Sequence, residues 1–453
     1  MRSVQRATDE DLAFLAMEVG PVPEHFAVIV VLDGDIAEQA LGRRIATVPR
    51  LLQRLRRLPP GFGRPVWEDD PAFDLSRHVR RIHCPAPGDE AALYGAATAV
   101  VVEALPRDRP LWRAVVVDGL SGGGSAVVIV VHHAVADGLG GLAILGQLAD
   151  DAGAVPADPP ATSPARLTEL AVDAWRTRFS SLPHLGRGWR DLRAGMAAEG
   201  GLRHGTAARC SLNRPVGAHR VMRTVEVKVF ELRRGAHLAG GSVNAALVAA
   251  VSGALGRLLA ARNERLDAVA IAVPASGRSA AAAKALGNLV TPLLITVPTG
   301  ADPAVRVRQV AEAVGRQRGT AVARSPVAVL GALFRCLAMS GGYRWYMRHQ
   351  HRVHTVVAYV RGPDRPIRLC GREVRKMLPL GVSETGNITV AFQALSYAGR
   401  LTVSAVADPN RCPDLGMLIM MLEGELSAVT ALYASAHPGP PRSSPSRADT
   451  ARG

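Results

Sequence analysis

Two adjacent histidines followed by an aspartate and a glycine, in Val131-His132-His133-Ala134-Val135-Ala136-Asp137-Gly138, stand at the end of an apolar run and just before a predicted helix. An imidazole with a pKa near neutrality takes a proton from a hydroxyl and returns it to a leaving group, provided it lies within hydrogen-bond reach of the reacting atom. That chemistry suits acyl transfer to an alcohol. Consecutive strand side chains point to opposite faces, so if the strand continues through the pair only one ring faces a given cavity. One imidazole is then chemical and the other supports it. Asp137 either fixes an imidazole tautomer, as the third member of a triad does, or forms an ion pair that braces the turn; the spacing leaves both open. Gly138 is expected to provide a backbone angle closed to other residues.

Other chemistries fit less well. Adjacent histidines on a strand are poor chelators and the helical H-E-x-x-H arrangement is absent, so no metal is expected. A lone histidine pair is also compatible with two hydrogen-bonded core residues. No G-x-S-x-G elbow and no Walker loop occurs. Gly138-Leu139-Gly140-Gly141-Leu142-Ala143 satisfies a loose G-x-G-x-x-A, but a proline-rich stretch follows where a dinucleotide fold needs a second parallel strand.

The elements that must position the motif can be read around it. Thr8 to Met17 opens with a T-x-x-D capping pattern and precedes an apolar strand from Phe26 to Leu32, closed by an Asp33-Gly34 turn. Ala37 to Leu58 has apolar residues at helical spacing and is expected to be an amphipathic helix that Pro49 kinks or divides. Trp112 to Val117 and Ala126 to Val131 are β-branched runs joined by Ser121-Gly122-Gly123-Gly124, a hairpin composition. Pro156 to Pro164 reads as a linker. Beyond it lie a polar helix around Arg166 to Ala197, a buried apolar helix from Val243 to Ala261, strands at Ala268 to Val273 and Leu293 to Val297, and a half-buried basic and aromatic helix within Val329 to His351. A last helix follows Pro413. The expected organisation is 1–150, a linker with a helix over 151–210, a second unit over 211–436, and a disordered tail over 437–453.

The chain has 453 residues, long enough for two cores, with 48% hydrophobic and 21% charged residues, a globular composition. Five scattered cysteines without a C-x-x-C pair and an acidic N-terminus lacking a signal-peptide pattern suit a reducing cytoplasm. A formal charge of +15 attracts anionic partners without choosing among nucleic acid, lipid and a phosphate-bearing cosubstrate. Aromatics are only 4%, and no nucleic-acid-binding signature occurs, so nucleic acid is set aside.

Taken with its surroundings, the motif resembles that of the bacterial wax ester synthase/diacylglycerol acyltransferase family, within the coenzyme A-dependent acyltransferases that share H-H-x-x-x-D-G. Supporting stretches are Asp11 with Phe14-Leu15, Arg109-Pro110-Leu111-Trp112, Leu212-Asn213 with Pro215 and Gly217, Leu286-Gly287-Asn288, Gly386-Asn387-Ile388-Thr389-Val390, and Ser396 to Leu401 followed by Ala407-Asp408. The resemblance implies an α/β (α+β) chain of two chloramphenicol acetyltransferase-like subdomains, each a mixed sheet with helices, with an active-site tunnel between them. It implies that His133 is the general base, that His132, Asp137 and Gly138 support it, and that Asn244, Asn288 and Asn387 are candidate tunnel or oxyanion contributors. It further implies acyl-CoA as cosubstrate with no permanently bound cofactor, and diacylglycerol, or else a long-chain fatty alcohol, as acceptor. The chain departs from the family at Asn244-Ala245, where Asn-Asp is usual, and at Ala358 to Pro363, where Tyr359 adds bulk near the tunnel.

Two further readings accompany this one. The departures are compatible with a catalytically weak lipid-binding or lipid-droplet protein, cytoplasmic with peripheral contact at the inner membrane face or a droplet, and the stretch around Trp345 would supply that surface. Natural-product condensation enzymes share the motif, although no carrier domain neighbours it here.

Overall fold

The computed structural model describes residues 5–151, 167–181, 207–276, 290–320, 334–382 and 386–436. Asn288, the residues expected to form the tail, and the whole proline-rich linker, 156–164, lie outside them. The first half runs α1 (Asp9–Met17), β1 (His25–Leu32), α2 (Glu38–Ile45), β2 (Gln53–Arg56), β3 (Val66–Asp69), β4 (Val79–His83), α3 (Glu90–Val102), β5 (Trp112–Asp118), β6 (Ser125–His132), α4 (Gly138–Leu148) and α5 (Leu167–Ser181). The second runs β7 (Val221–Lys228), α6 (Val229–Leu238), α7 (Val243–Ala261), β8 (Ala268–Ser276), β9 (Val290–Pro298), α8 (Pro303–Thr320), α9 (Gly342–His349), β10 (Thr355–Arg361), β11 (Arg368–Leu369), β12 (Arg372–Val382), β13 (Val390–Tyr397), β14 (Arg400–Ala407) and α10 (Leu415–Ala436).

Two six-stranded sheets carry the molecule, ordered β11-β12-β1-β6-β5-β4 and β7-β14-β13-β10-β8-β9. Both are mixed, since β4 runs parallel to β5 and β10 runs parallel to β8 and β13 while their other pairings are antiparallel. This is the expected α/β architecture of two sheet-bearing halves. The sheets are not separated at one point in the chain, however. Residues 368–382 follow four strands of the second sheet in sequence, yet β12 pairs along the whole of β1 in the first.

Alternation along the central strands fixes which side chains meet. On β6 the odd-numbered Val127, Ile129 and Val131 pack with α2 and α4 residues such as Leu41 and Ile144. The even-numbered Ala126, Val128 and Val130 pack on the other face with α3 residues such as Leu93 and Val101. A strand buried on both faces needs apolar residues along its length, and β6 has them between its polar ends, Ser125 and His132. In the other half, α7 lies in the core and α10 packs against α6 and α7. Both α7 and Leu415–Tyr433 of α10 are long and apolar enough to span a membrane.

Two expectations are corrected. The helix expected over Ala37 to Leu58 stops at Ile45; Pro49–Leu52 forms a 3₁₀ turn and Gln53–Arg56 is a strand paired with β3. Leu51, Leu52 and Leu55 satisfy helical spacing, but Pro49 has no N–H to continue the ladder and the strand partner supplies one instead. Within Val329 to His351, the described residues form two helices, 334–339 and α9, broken at Gly341 with φ +81°. Trp345 and Met339 are 58% and 71% exposed there.

Candidate active site

The motif histidines divide as strand alternation requires. His133 continues the odd-numbered face of β6 and borders a cavity of about 400 Å³ between the two halves. Its walls include Phe26 of β1, Leu142 and Leu145 of α4, Tyr359 of β10 and Gln393 of β13, with Pro379 to Val382 of β12 along one side. A cavity of this size and mainly apolar lining suits part of a lipid-like substrate. Phe14 of α1 stacks on the His133 ring at 5.0 Å between centroids, and Phe26 lies at 5.0 Å, tilted by 51°. These two phenyl rings flank the imidazole, while its backbone N–H donates to Glu24 O at 2.9 Å. Burial, then the neighbouring imidazoles of His132 and His25, push His133 down to about 3. The ring is therefore neutral at physiological pH and retains a lone pair with which to accept a proton.

His132 faces the opposite way, with α3, and is 1% exposed. Its Nδ1 accepts the Ala134 backbone N–H at 2.9 Å, so the neutral ring carries its proton on Nε2. Directly across the ladder stands His25 of β1. His25 Nδ1 lies 3.0 Å from Val101 O and must donate to it, which leaves its Nε2 as an acceptor. Both Nε2 atoms approach Glu18, at 3.9 Å from His25 and 3.5 Å from His132. Burial alone would raise the Glu18 carboxyl, but the hydrogen bond and charge of His132, with Arg107 and His25, hold it at about 2. Burial lowers His25 to about 4 and pushes His132 down as well.

Glu18, His25 and His132 have the spacing of a metal-binding trio. The Ala134 hydrogen bond argues against that use, because it places a proton on the His132 atom that would have to ligate. A buried cluster in which the His132 Nε2–H faces the Glu18 carboxylate at 3.5 Å fits the donor set better.

Asp137 caps α4: its Oδ1 accepts the Gly140 N–H at 2.8 Å. Of the two roles left open by spacing, bracing the turn is the one this contact supports, through a helix cap. Gly138 corrects its expectation. Its φ lies outside the left-handed region, and what it provides is space, since a Cβ there would come 3.3 Å from Val360. Gly141, which the sequence reading did not single out, matters more: a Cβ there would fall 2.3 Å from the Phe26 ring that flanks His133.

The asparagines are dispersed. Asn387 is buried and bonded to Gln350, accepting its Nε2 at 2.6 Å and donating to its carbonyl at 2.8 Å. Asn244 sits in the first turn of α7, half-buried, outside the cavity wall. Ala245 is buried in the second core. Ala358 and Tyr359 do border the cavity. The sequence reading missed Glu18, His25 and Phe26; a histidine and a phenylalanine at successive positions opening an apolar strand were the available signal.

Comparison with known proteins places the whole chain. Residues 8–247 match the wax ester synthase/diacylglycerol acyltransferase catalytic domain, and residues 286–430 match the family's C-terminal domain. A Mycobacterium tuberculosis protein named as a probable diacylglycerol O-acyltransferase is 27% identical, over 95% of this chain and 93% of its own. A second protein from that organism, also named a diacylglycerol O-acyltransferase, is 35% identical over 36% of this chain. Among solved structures, the wax ester synthase/diacylglycerol acyltransferase of Marinobacter aquaeolei covers 95% of this chain and 100% of its own, with TM-score 0.65 and 18% identity. The first condensation domain of the calcium-dependent antibiotic synthetase shares the fold, with TM-score 0.63 and 19% identity over 96% of this chain and 97% of that domain. The chain is an acyltransferase and belongs to the wax ester synthase/diacylglycerol acyltransferase family.

Proposed function

We propose that the protein transfers a long-chain acyl group from acyl-CoA to an alcohol, with diacylglycerol as the leading acceptor, and that His133 is the general base. The observation that carries this reading is a neutral imidazole bordering an apolar cavity between the two halves, flanked by two phenyl rings. The hydroxyl oxygen bonds to the thioester carbonyl carbon as its proton passes to His133. The C–S bond then breaks, and the proton goes from His133 to the departing sulfur. Burial keeps the ring neutral and also makes it a weak base, so proton transfer accompanies C–O bond formation and does not precede it. The relatives named as diacylglycerol O-acyltransferases support the choice of acceptor. No permanent cofactor enters this scheme.

The test is release of free thiol from palmitoyl-CoA with dioleoylglycerol or hexadecanol, for the protein and for His133→Ala. Loss of general-base catalysis lowers the rate by roughly 10²- to 10⁴-fold. Equal release by both proteins refutes the assignment. Exposed Met339 and Trp345, beside Arg344 and Arg348, support a second part of the proposal: peripheral contact with an anionic lipid surface, from which an apolar acceptor is drawn.

A further inference from the structure

Glu18, His25 and His132 lie outside the cavity's lining, yet the cluster touches both elements that hold the His133 ring. Glu18 immediately follows α1, the helix that carries Phe14. Arg107 pairs with the Glu18 carboxylate and donates to Leu15 O at 3.3 Å, tying the end of α1 to the chain before β5. The other end of α1 is held by the reciprocal Thr8 and Asp11 cap and by Trp67, whose indole N–H donates to Asp11 at 3.4 Å. From the strand side, the same carboxylate meets the Nε2 of His132, whose Nδ1 receives the Ala134 N–H in the turn that follows His133.

Without an acceptor near Nε2, only the Ala134 N–H holds the His132 proton there. The alternative tautomer sets an N–H against the Ala134 N–H and opens the turn. Without the Arg107 pair, the end of α1 loses its charged tether, and with it the fixed distance between Phe14 and His133.

We propose that Glu18 is a positioning residue for acyl transfer: it fixes the His132 tautomer behind the motif turn and clamps α1, so that Phe14 and the turn together set the direction of the His133 ring. This rests on the reading of His133 as the base. Glu18 does not line the cavity, so its effect falls on turnover and leaves binding alone. A small misdirection of a reacting group lowers the rate by up to about 100-fold.

The experiment uses the full-length protein with Glu18→Ala and Glu18→Gln, each first shown by thermal melting to be folded at the assay temperature. Two readouts are taken: kcat and KM for palmitoyl-CoA, and the rate at which diethyl pyrocarbonate modifies His133, followed by peptide mass spectrometry. Glu18→Ala is expected to lower kcat by about 100-fold with KM within about twofold, and to change His133 modification several-fold. Glu18→Gln keeps an oxygen that can accept from His132 and is expected to recover part of both. If Glu18→Ala does not fold, Glu18→Gln alone must show both changes in smaller measure. An unchanged kcat, an unchanged modification rate, or a rise in KM alone in a folded variant overturns the proposal. If the natural protein itself releases no thiol with either alcohol, the acyl-transfer reading fails instead, and the modification rate decides the role of Glu18 by itself.

Discussion

Acidification should destabilise this fold through His25, and the size of the effect follows from its surroundings. The side chain is fully buried, with Nδ1 committed to Val101 O and Nε2 facing Glu18 and, beyond it, His132; Arg113 adds a positive charge nearby. Burial, then the His132 charge, brings its pKa to about 4, against 6.5 in an unfolded chain. A histidine depressed in this way stabilises the native state fully above pH 6.5, where neither state is protonated, and that contribution declines as pH falls because the unfolded chain takes up a proton first. Each pH unit is worth about 1.4 kcal/mol, so by pH 5 the loss from His25 alone is about 2 kcal/mol. Glu18 acts in another window: its carboxyl is lowered, so its contribution disappears only as pH falls from 4.5 towards 2. The assay is urea unfolding at pH 7 and pH 5 for the natural protein and for His25→Gln, whose amide can still donate to Val101 O. The variant is less stable at pH 7, but its further loss on going to pH 5 should be smaller by about 2 kcal/mol. His132 and His133 are common to both proteins, and burial, the first cause of their lowered values, is the same in each, so most of their contribution cancels in that difference. Equal losses between pH 7 and pH 5 in the two proteins would refute the reasoning.

Gly141→Ala should displace the Phe26 ring, because the new methyl carbon would fall within 2.3 Å of it, and overpacking of this kind costs about 1–3 kcal/mol. Its thiol-release rate should fall more than its binding of acyl-CoA, and unaltered turnover would show that Phe26 does not constrain His133. Trp345→Ser combined with Met339→Ser should weaken sedimentation with vesicles containing anionic phospholipid by about tenfold, while leaving turnover of a soluble acyl-CoA and a short-chain alcohol intact. Unchanged sedimentation would remove that surface from consideration.

Much of the site was legible because its geometry is local. Two adjacent histidines at a strand end must face apart, and the structure places His132 beside His25 and Glu18 and His133 at the cavity. The cap that Asp137 makes on α4 has the D-G-x-G composition of a helix start, although an ion pair was as good a reading of the spacing alone. What escaped notice depends on contacts between distant positions. His25 meets His132 only through strand register, and Glu18, paired with the distant Arg107, meets both. Likewise, Leu51, Leu52 and Leu55 fit a helix as well as a strand until β3 is known to lie alongside. No periodicity in residues 372–382 announces that they leave their own half to complete the other sheet.

That exchanged strand has a consequence for how the molecule is made. Glu373 donates its backbone N–H to Asp33 across 340 positions of sequence, so β1 waits for nearly the whole chain to be synthesised before its outer edge is paired. Until then the nascent first half displays a long apolar strand able to recruit other chains, a hazard common to edges of this kind. Cutting the gene at the proline-rich linker would make that temporary condition permanent. The cavity gains from the same arrangement: one of its walls belongs by sequence to one half and by hydrogen bonding to the other, which ties the two halves together as substrates enter and products leave.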